Sequence, residues 1–310
     1  MAEERGLTLV TGANGFIGRH LVSALAGLGR PTRVLMRPST HPPTLAGAPE
    51  IVLGDLLDGE GLERATAGVD TCIHLAAQPS VAVGAEDPTL TMRTNATAVA
   101  DLLAACRRSG VRRFVLVSTN HVFGPVPAHL LTESTPFDPR SVYAASKLEA
   151  ERHALSLGGE LEVVVLRPSN VYGPGQSRAA VVPNLVARAI AGEAMVVKNP
   201  AARRDFVYVG DIVEALVAAA SAPAAAGQAI NLGSGRDIAI GELARIIWRV
   251  AGQAAMPGSA LADDDAAAGE RPRGAGTPAE RLLGWRATTP LLEGIAACVA
   301  AERVRLRHGA

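Results

Sequence analysis

The chain has 310 residues, of which 48% are hydrophobic and 3% aromatic, so its core must be built mainly from Val, Leu, Ile and Ala. This length allows one large domain or two small ones. The formal net charge of zero argues against nucleic acid or an anionic membrane as the main partner. Three cysteines lie far apart without metal spacing, which indicates a reducing compartment, no disulfide framework and no metal site. Because the sequence shows no signal-peptide pattern and no run of about 20 apolar residues, we expect a cytoplasmic protein.

Short apolar strands alternate with helical stretches through the first two thirds of the chain. The predicted strands are Leu7–Thr11, Thr32–Met36, Glu50–Leu53, Thr71–Leu75, Arg113–Val117, Glu162–Leu166 and Gln228–Leu232. Hydrophobic periodicity predicts helices at Phe16–Leu28, Thr89–Arg108, Val142–Leu157, Val182–Ala191, Gly210–Ala220 and Ile240–Ala251. This alternation predicts an α/β fold with a doubly wound parallel sheet and right-handed crossovers. Ala222–Ala226 is predicted to be a small-residue linker, and Ala254–Ala279 a loop.

A glycine-rich turn follows the first predicted strand. Gly12, Gly15 and Gly18 are spaced G-x-x-G-x-x-G, rather than in the G-x-G-x-x-G of the standard dinucleotide fingerprint. Gly12 lets the turn tighten, Gly15 lets the backbone approach a pyrophosphate, and Gly18 permits close packing of helix and strand. The N–H groups at the helix N-terminus are then available to phosphate. The turn therefore predicts a dinucleotide-binding site formed by Gly12, Asn14, Gly15, Phe16, Ile17 and Gly18.

Tyr143 and Lys147 form a second motif. The chain contains three tyrosines and two lysines, and these two lie four residues apart in a predicted helix. That spacing puts both side chains on one face, where an ammonium beside the phenol favours the phenolate. To act as a base near neutral pH, the phenol needs its pKa lowered by about 3 units, which corresponds to roughly 4 kcal/mol. A second positive charge, such as an oxidised nicotinamide ring, would help. Tyr143 is therefore a candidate acid–base group, with a simple pair on the helix surface as the alternative.

Together, Thr11-Gly12-x-x-Gly15-x-x-Gly18 and Tyr143-x-x-x-Lys147 resemble the short-chain dehydrogenase/reductase superfamily. Its extended branch, the NAD-dependent epimerase/dehydratase family acting on nucleotide sugars, is the most similar. The resemblance implies a Rossmann-type dinucleotide-binding domain over residues 1–170, to which the strand 228–232 returns, and a mainly substrate-binding lobe over residues 171–310. Further matches follow in chain order: Gly54-Asp55-Leu56, His74-Leu75-Ala76-Ala77, Asn95, Ser118-Thr119, Arg167-Pro168-Ser169-Asn170-Val171-Tyr172-Gly173-Pro174-Gly175, Arg204-Asp205-Phe206-Val207-Tyr208-Val209, Asn231-Leu232-Gly233-Ser234-Gly235 and Leu283-Gly284-Trp285.

The residue that follows the second strand bears on the choice between NAD and NADP. An acidic residue about 20 positions beyond the glycines would bond the adenosine ribose and repel a 2′-phosphate. Here the position holds Arg37, whose forked donors suit a phosphate, and Ser39 could add a hydroxyl contact. The sequence favours NADP slightly and leaves NAD open, since an exposed Arg after a strand is the alternative. By the resemblance, Asp55 would face the adenine, and further cofactor contacts would come from Leu56, Leu75, Ala76, Ala77, Tyr143, Lys147 and Pro168.

The resemblance also implies a reacting centre. Thr119 would bond the substrate oxygen, Tyr143 would be the general base in oxidation and the acid in reduction, and Lys147 would bond the nicotinamide ribose. Sugar 4,6-dehydratases of this family carry an Asp-Glu pair directly after this Thr. This chain has Asn120 and His121 there, which argues against dehydration. A nucleoside diphosphate sugar would be bound by Gln78, Ser80, Thr119, Asn170, Arg204 and Arg271.

Two main functions remain open from the sequence. One is a nucleotide-sugar 4-epimerase that works by transient C4 oxidation and re-reduction with a bound nicotinamide cofactor, NAD or NADP. The other is an NADPH-dependent reductase of a 4-keto sugar nucleotide. A dinucleotide-sensing regulator is disfavoured because Tyr143, Lys147 and Thr119 are all present. The resemblance further implies a homodimer, in which the Ala-rich helices Thr89–Arg108 and Val142–Leu157 would pair as a four-helix bundle.

Overall fold

The computed structural model describes residues 6–38, 45–57, 59–79, 81–127, 131–254 and 277–308. Its strands are β1 (Thr8–Thr11), β2 (Thr32–Met36), β3 (Glu50–Leu53), β4 (Thr71–His74), β5 (Arg113–Val117), β6 (Glu162–Pro168), β7 (Asn170–Tyr172), β8 (Arg203–Tyr208), β9 (Gln228–Leu232) and β10 (Asp237–Ala239). Its α-helices are α1 (Phe16–Gly27), α2 (Gly59–Thr66), α3 (Val81–Glu86), α4 (Pro88–Met92), α5 (Ala98–Arg108), α6 (Val142–Leu155), α7 (Val181–Ala191), α8 (Val209–Ala219), α9 (Ile240–Val250), α10 (Pro278–Leu283) and α11 (Leu291–His308).

Within these residues, seven parallel strands form the main sheet, in the order β3-β2-β1-β4-β5-β6-β9. The chain builds outward from β1 to β3, then crosses back to add β4 on the other side of β1. The strand order therefore reverses between β1 and β4. In open α/β sheets, ligands bind at the carboxyl ends of the strands beside such a reversal. The predicted doubly wound parallel sheet is confirmed, and this edge is where a site is expected.

Both faces of the main sheet are buried, because its central strands are apolar at nearly every position. Alternate side chains point to opposite faces, so Val115 packs with α1 and α8 while its neighbours Phe114 and Leu116 pack with α2, α5 and α6. All three side chains are fully buried. Burying each Val, Leu or Phe stabilises the fold by about 1.5–3 kcal/mol relative to exposure. This packing holds the strand ends, and the polar residues that follow them, in fixed positions.

A separate hydrophobic cluster forms beyond β6. It combines α7, α9 and α11 with Tyr172 and Phe206, and Trp248 is buried within it. A small sheet in the order β10-β8-β7 lies alongside, with β8 antiparallel to β10 and parallel to β7. Main-sheet residues do not belong to this cluster, whereas α8 packs against α1 on the main sheet. The helices α7, α9 and α11 therefore share a core of their own, whereas α8 and α10 pack with the main sheet.

The prediction of a single long α-helix over Thr89–Arg108 is wrong. The segment instead contains α4, one π-helical turn at Arg93–Thr97, and α5. The predicted linker Ala222–Ala226 contains a 3₁₀ turn at Pro223–Ala225. The predicted loop Ala254–Ala279 lies mostly outside the described residues, and α10 begins within its last positions. No helix in the described part of the chain is both long and apolar enough to cross a membrane.

Candidate active site

The glycine turn after β1 is enclosed by backbone atoms. Gly12 has a φ of 73°, and a Cβ there would lie 2.6 Å from the Ala76 nitrogen. A Cβ on Gly18 would lie 2.1 Å from the Gly12 carbonyl oxygen. At Gly15, the described neighbour within 4 Å of an added Cβ is that same oxygen, at 3.1 Å. The tight turn predicted at Gly12 and the close packing predicted at Gly18 are confirmed.

The N-terminus of α1 opens onto this turn. Its N-cap is Gly15, and no side chain caps the first N–H groups, which belong to Phe16 and the residues that follow it. Asn14 is instead held by Arg19, whose Nη2 donates to the Asn14 Oδ1 at 2.6 Å. Uncapped N–H groups at the positive end of a helix dipole fit a pyrophosphate, which supplies the missing acceptors. The turn and helix therefore have the form that a dinucleotide requires.

The residues predicted near the adenosine end are less fully engaged. Arg37 follows β2, and its side chain is exposed. The Asp55 carboxylate accepts a hydrogen bond from the Leu57 nitrogen at 3.1 Å, so one of its oxygens stabilises a turn. Leu56 packs against the hydrophobic cluster of α2 and α5. Ser39 lies outside the described residues.

The backbone that follows β4 is tied to β1. Leu75 N donates to the Thr11 carbonyl oxygen at 3.2 Å, and the Thr11 hydroxyl bonds His74 Nδ1 at 2.8 Å. Ala76 N donates to the same hydroxyl at 3.4 Å. Leu75, Ala76 and Ala77 are half-buried where the strand order reverses. They therefore line the crevice in which the cofactor contacts are predicted.

Asn95, in the π-helical turn, ties the next segment to α6. It is fully buried, and its side chain bonds both the nitrogen (2.8 Å) and the carbonyl oxygen (3.0 Å) of Gln78. Its Nδ2 also donates to Ser146 Oγ at 3.0 Å. Asn95 thus fixes the backbone of Gln78 beside the helix that carries Tyr143 and Lys147. Ser80, the other predicted sugar contact in this loop, lies outside the described residues.

Thr119, Tyr143 and Lys147 meet at the carboxyl edge of the sheet. Thr119 follows β5, and its side chain lies near enough to the Tyr143 phenol to lower the phenol pKa. Tyr143 and Lys147 lie one turn apart on α6, which Ser141 caps by accepting a hydrogen bond from the Ala144 nitrogen at 3.1 Å. Lys147 is 2% exposed. The structure therefore brings the three predicted reacting residues together, although their chemical roles remain predictions.

The protein environment acts differently on the two titrating residues. Burial raises the pKa of the Tyr143 phenol, although the Thr119 side chain acts in the opposite direction. Burial lowers the pKa of Lys147 to about 8, against the attraction of the Glu151 carboxylate. The protein groups alone therefore do not lower the Tyr143 pKa as the motif predicts. The cost of burying the phenolate outweighs the effect of Thr119.

The two residues after Thr119 contact the loop that follows β6. Asn120 Nδ2 donates to Ser169 Oγ at 3.2 Å. His121 lies edge-on to the Tyr143 ring, with centroids 6.4 Å apart, and near the Asn170 side chain. The His121 imidazole reaches solvent, but the surrounding protein and the charge of Arg204 lower its pKa. A neutral imidazole therefore stands beside the phenol at neutral pH.

The remaining predicted substrate residues are arranged around Asp205. Asn170 Nδ2 donates to the Asp205 carbonyl oxygen at 3.0 Å, and the Asp205 carboxylate accepts from the nitrogen and hydroxyl of Ser234. Arg204 is exposed and donates to the Arg203 carbonyl oxygen at 2.8 Å. Alternation along β8 puts Arg204 and Asp205 on opposite faces. Arg271 lies outside the described residues.

The sequence interpretation missed a buried group beside these residues. Glu151 pairs with Arg167 at 2.6 Å and accepts a hydrogen bond from the Ser118 hydroxyl. A signal was present, because Glu151 follows Lys147 at the same interval of four residues that separates Lys147 from Tyr143. All three positions share one helix face.

A parallel sheet with a glycine turn at its strand reversal, beside a Thr–Tyr–Lys group, defines a Rossmann-type enzyme that uses a dinucleotide. The sequence model of the NAD dependent epimerase/dehydratase family matches residues 8–233, and the chain belongs to this family. Its cofactor is accordingly a nicotinamide dinucleotide.

Relatives of known activity cover nearly the whole chain. UDP-glucose 4-epimerase of Mycolicibacterium smegmatis is 34% identical over 310 residues, 94% of this chain and 97% of the epimerase. dTDP-glucose 4,6-dehydratase of Streptomyces griseus is 33% identical over 308 residues, 94% of this chain and 92% of the dehydratase. The solved structure of MoeE5 in complex with UDP-glucose and NAD has a TM-score of 0.82 at 31% identity, covering 97% of this chain and 100% of that one. The family thus includes both epimerases and dehydratases.

Proposed function

We propose that the protein is a nucleotide-sugar 4-epimerase. The observation that carries this proposal is the Thr119–Tyr143–Lys147 group, followed by the neutral residues Asn120 and His121. Elimination of water from a sugar needs a base and an acid besides the group that handles the C4 hydroxyl. The two side chains after Thr119 supply no carboxylate for those steps. Epimerisation needs only one acid–base group at C4, and Tyr143 can serve in both directions.

Each residue has a distinct role in the proposed mechanism. Tyr143 removes the proton of the C4 hydroxyl and later returns a proton to the C4 oxygen. Thr119 bonds that oxygen and holds it next to the phenol. The bound nicotinamide supplies the hydride chemistry at C4. Between the two proton transfers the 4-keto sugar must turn over within the pocket, so that its opposite face is reduced.

Charge is the main requirement at Tyr143. Burial opposes the phenolate, so positive charge must favour it. With a pKa of about 8, Lys147 remains mostly protonated near pH 7 and supplies one such charge. An oxidised nicotinamide ring would supply another. Activity should therefore decline above about pH 8, because Lys147 then loses its proton.

The nucleoside diphosphate is assigned to the segments that follow β6 and β8. Asn170 and the exposed Arg204 offer an amide and a guanidinium, which suit a pyrophosphate. We assign the sugar to the side of Gln78, whose backbone is held by Asn95. The separate core of α7, α9 and α11 supports the predicted division near residue 170, with the later part binding the nucleotide sugar.

The test is to incubate the protein with nucleotide sugars deuterated at C4 and to follow the products by NMR. An epimerase returns the same hydride to C4, so the epimer should retain the deuterium. Tyr143→Phe should lower turnover by about 10²- to 10⁴-fold while it still binds the dinucleotide. Tyr208→Phe, which changes a tyrosine of the smaller sheet, is the control and should remain active. Loss of deuterium from C4 with formation of a dehydrated sugar would contradict the proposal.

The second candidate is an NADPH-dependent reductase of a 4-keto sugar nucleotide, and exposed Arg37 is the observation that favours it. Its guanidinium lies after β2, where the adenosine ribose is expected, and it can pair with a 2′-phosphate. Mass spectrometry of the dinucleotide released from denatured protein separates the two functions. Retained NAD favours the epimerase, which recycles its cofactor. An empty site that binds NADPH selectively favours the reductase.

A homodimer is also part of the proposal. On α4 and α5, the side chains of Leu90, Met92 and Asp101 are exposed, and Ala100 and Ala104 are half-exposed. Small side chains allow helices to approach closely, so this surface and α6 suit a two-fold contact. Light scattering at micromolar concentration should give the dimer mass, and Ala100→Arg should reduce it to the monomer mass. A monomeric wild-type protein would refute this part of the proposal.

A further inference from the structure

A buried carboxylate on α6 joins three elements of the fold. Glu151 is 1% exposed, and both its oxygens accept hydrogen bonds from Arg167 of β6, at 3.0 Å from Nε and 2.6 Å from Nη2. Arg167 itself is 3% exposed. The hydroxyl of Ser118, directly after β5, donates to the same carboxylate. Glu151 therefore connects α6 to the carboxyl ends of both β5 and β6.

Each end of this network adjoins the proposed reacting centre. Ser118 directly precedes Thr119, and its nitrogen donates to the Leu166 carbonyl oxygen at 2.7 Å. Glu151 lies on the α6 face that carries Tyr143 and Lys147, two turns beyond the former and one beyond the latter. The distance between the Thr119 hydroxyl and the Tyr143 phenol thus depends on how α6 sits against β5. The Glu151 carboxylate is one side chain that joins α6 to the end of β5.

Stability alone does not account for the pair. Burying two charges costs several kcal/mol per ion, and apolar side chains of similar volume often give equal or greater stability. The surroundings would accept such side chains, because the Arg167 Cζ lies 5.1 Å from the ring centroids of both Phe123 and Phe137. The ion pair occupies a place that an apolar contact could fill. Stability is therefore not a sufficient reason for two buried charges at this place.

Glu151 also acts on the charge of Lys147. Its carboxylate opposes the effect of burial on the Lys147 pKa. The other titratable groups near the amine are Tyr143, which is neutral at pH 7, and His74 at the end of β4. Burial lowers the pKa of His74 to about 3, so it is also neutral at pH 7. Arg167 bears a positive charge, and Glu151 neutralises it.

We propose that Glu151 is a positioning residue of the reacting centre: it fixes Tyr143 against Thr119 and holds a negative charge one helical turn from Lys147. This inference rests on the roles proposed above for those three residues. Because Glu151 is 1% exposed, it offers almost no surface to a substrate or cofactor. It acts through α6 and through the charge of its neighbour.

Three variants separate positioning from simple stabilisation. Glu151→Gln removes the charge but leaves Arg167 unpaired. The double variant Glu151→Gln with Arg167→Met removes both charges and should recover stability in urea unfolding, since no unpaired ion remains. The control is Glu162→Gln. This variant breaks the ion pair between Glu162 and Arg113, which joins the amino ends of β5 and β6. The Arg113 side chain is 1% exposed.

Steady-state kinetics provide the first readout. The double variant should lose about 10- to 100-fold in kcat, with the KM for the nucleotide sugar and the Kd for the dinucleotide little changed. Glu162→Gln should keep the wild-type kcat per folded molecule. If the double variant regains both stability and kcat, the ion pair is only structural and the proposal is overturned.

The titration of Lys147 provides a readout that does not depend on turnover. The chain has only two lysines, Lys147 and Lys198, so protein labelled with [ε-¹³C]lysine gives two resonances, which a Lys198→Arg variant assigns. The Lys147 midpoint should fall by about 1 pH unit in Glu151→Gln and stay unchanged in Glu162→Gln. An unchanged midpoint in Glu151→Gln would overturn the proposal. If the wild-type protein interconverts no nucleotide sugar, the proposed function fails, but this titration still decides the role of Glu151.

Discussion

Substitution of Gly18 by alanine tests whether the glycine turn is built for a dinucleotide. The added Cβ would lie 2.1 Å from the Gly12 carbonyl oxygen and 2.7 Å from the Ala13 Cα. Both are backbone atoms, so no side chain can rotate away, and the N-terminus of α1 must move by about 1 Å to restore ordinary contact. Overpacking of this kind costs about 1–3 kcal/mol. The helical preference of alanine over glycine offsets about 1 kcal/mol of that cost.

Gly27 at the other end of α1 is the matched control. An added Cβ there has no neighbour within 4 Å among the described residues. Gly27→Ala therefore gains helical preference without a clash. Urea unfolding should give Gly18→Ala a free energy of unfolding about 1–3 kcal/mol below that of Gly27→Ala.

The decisive measurement is dinucleotide affinity by calorimetry. Hydrogen bonds from N–H groups to a charged phosphate contribute about 1.5–3 kcal/mol each, so displacing the N-terminus of α1 should weaken binding at least about tenfold. Gly27→Ala should bind as the wild type does. If Gly18→Ala binds with wild-type affinity, the N-terminus of α1 does not hold the pyrophosphate, and the reasoning from the turn fails.

Two further predictions concern single side chains. If Arg37 binds a 2′-phosphate, Arg37→Ser should raise the ratio of the NADP Kd to the NAD Kd by about 10- to 100-fold. The control Arg249→Ser, on α9, should leave this ratio unchanged. An unchanged ratio in Arg37→Ser would show that Arg37 is only a surface residue. His74 has a pKa lowered from 6.5 to about 3, so its neutral form stabilises the fold above pH 6.5 and that stability is lost as the pH falls toward 3. The loss between pH 7 and pH 5 should be about 2 kcal/mol, and urea unfolding of His74→Asn should show a flatter pH dependence; equal slopes would contradict the assignment.

The main sheet was predictable because its inner strands are buried on both faces, whereas only the edge strand β3 is largely exposed among the described strands of this sheet. Thr32–Met36, Glu50–Leu53, Arg113–Val117 and Gln228–Leu232 have the predicted bounds. Continuous apolar, β-branched runs give a strong local signal, since each residue needs the same burial whichever face it points to. The strands β7, β8 and β10 were missed. Among the described residues, β7 and β10 have three residues each, and β8 begins with the three charged residues Arg203, Arg204 and Asp205. These strands pair only with one another, so the signal for them lies in tertiary contacts.

The interruption between α4 and α5 shows where periodicity fails. The residues from Thr89 to Arg108 have helical character throughout, and the sequence predicts one helix. A π-helical turn inserts an extra residue, and Asn95 in that turn bonds Gln78 and Ser146. Such turns often occur at functional sites. The hydrogen bonds of Asn95 reach residues distant in sequence, which no local pattern of apolar residues records.

The two halves of the site differ in how far the sequence could predict them. The cofactor half is built from backbone: glycines where a Cβ would clash, N–H groups without caps, and strand ends at a fixed reversal of order. Few residue types satisfy such backbone requirements, so these positions form a recognisable pattern in the sequence. Burial raises the Tyr143 pKa in the protein without its cofactor, and the sequence does not show this effect because the spacing of Tyr143 and Lys147 records their proximity but not their burial.

The substrate half depends on side chains from segments distant in sequence, and many residue types can serve there. Asn120 and His121 face the loop after β6, and Asp205 joins that loop to Ser234. The same arrangement of Thr119, Tyr143 and Lys147 therefore fits an epimerase or a reductase, because it handles only the proton at one hydroxyl. The fate of the sugar after oxidation at C4 depends on whether a nearby group can remove a second proton. In the reaction that we propose, the neutral pair after Thr119 offers the 4-keto sugar no carboxylate base, so its return to the C4 alcohol is the step expected there.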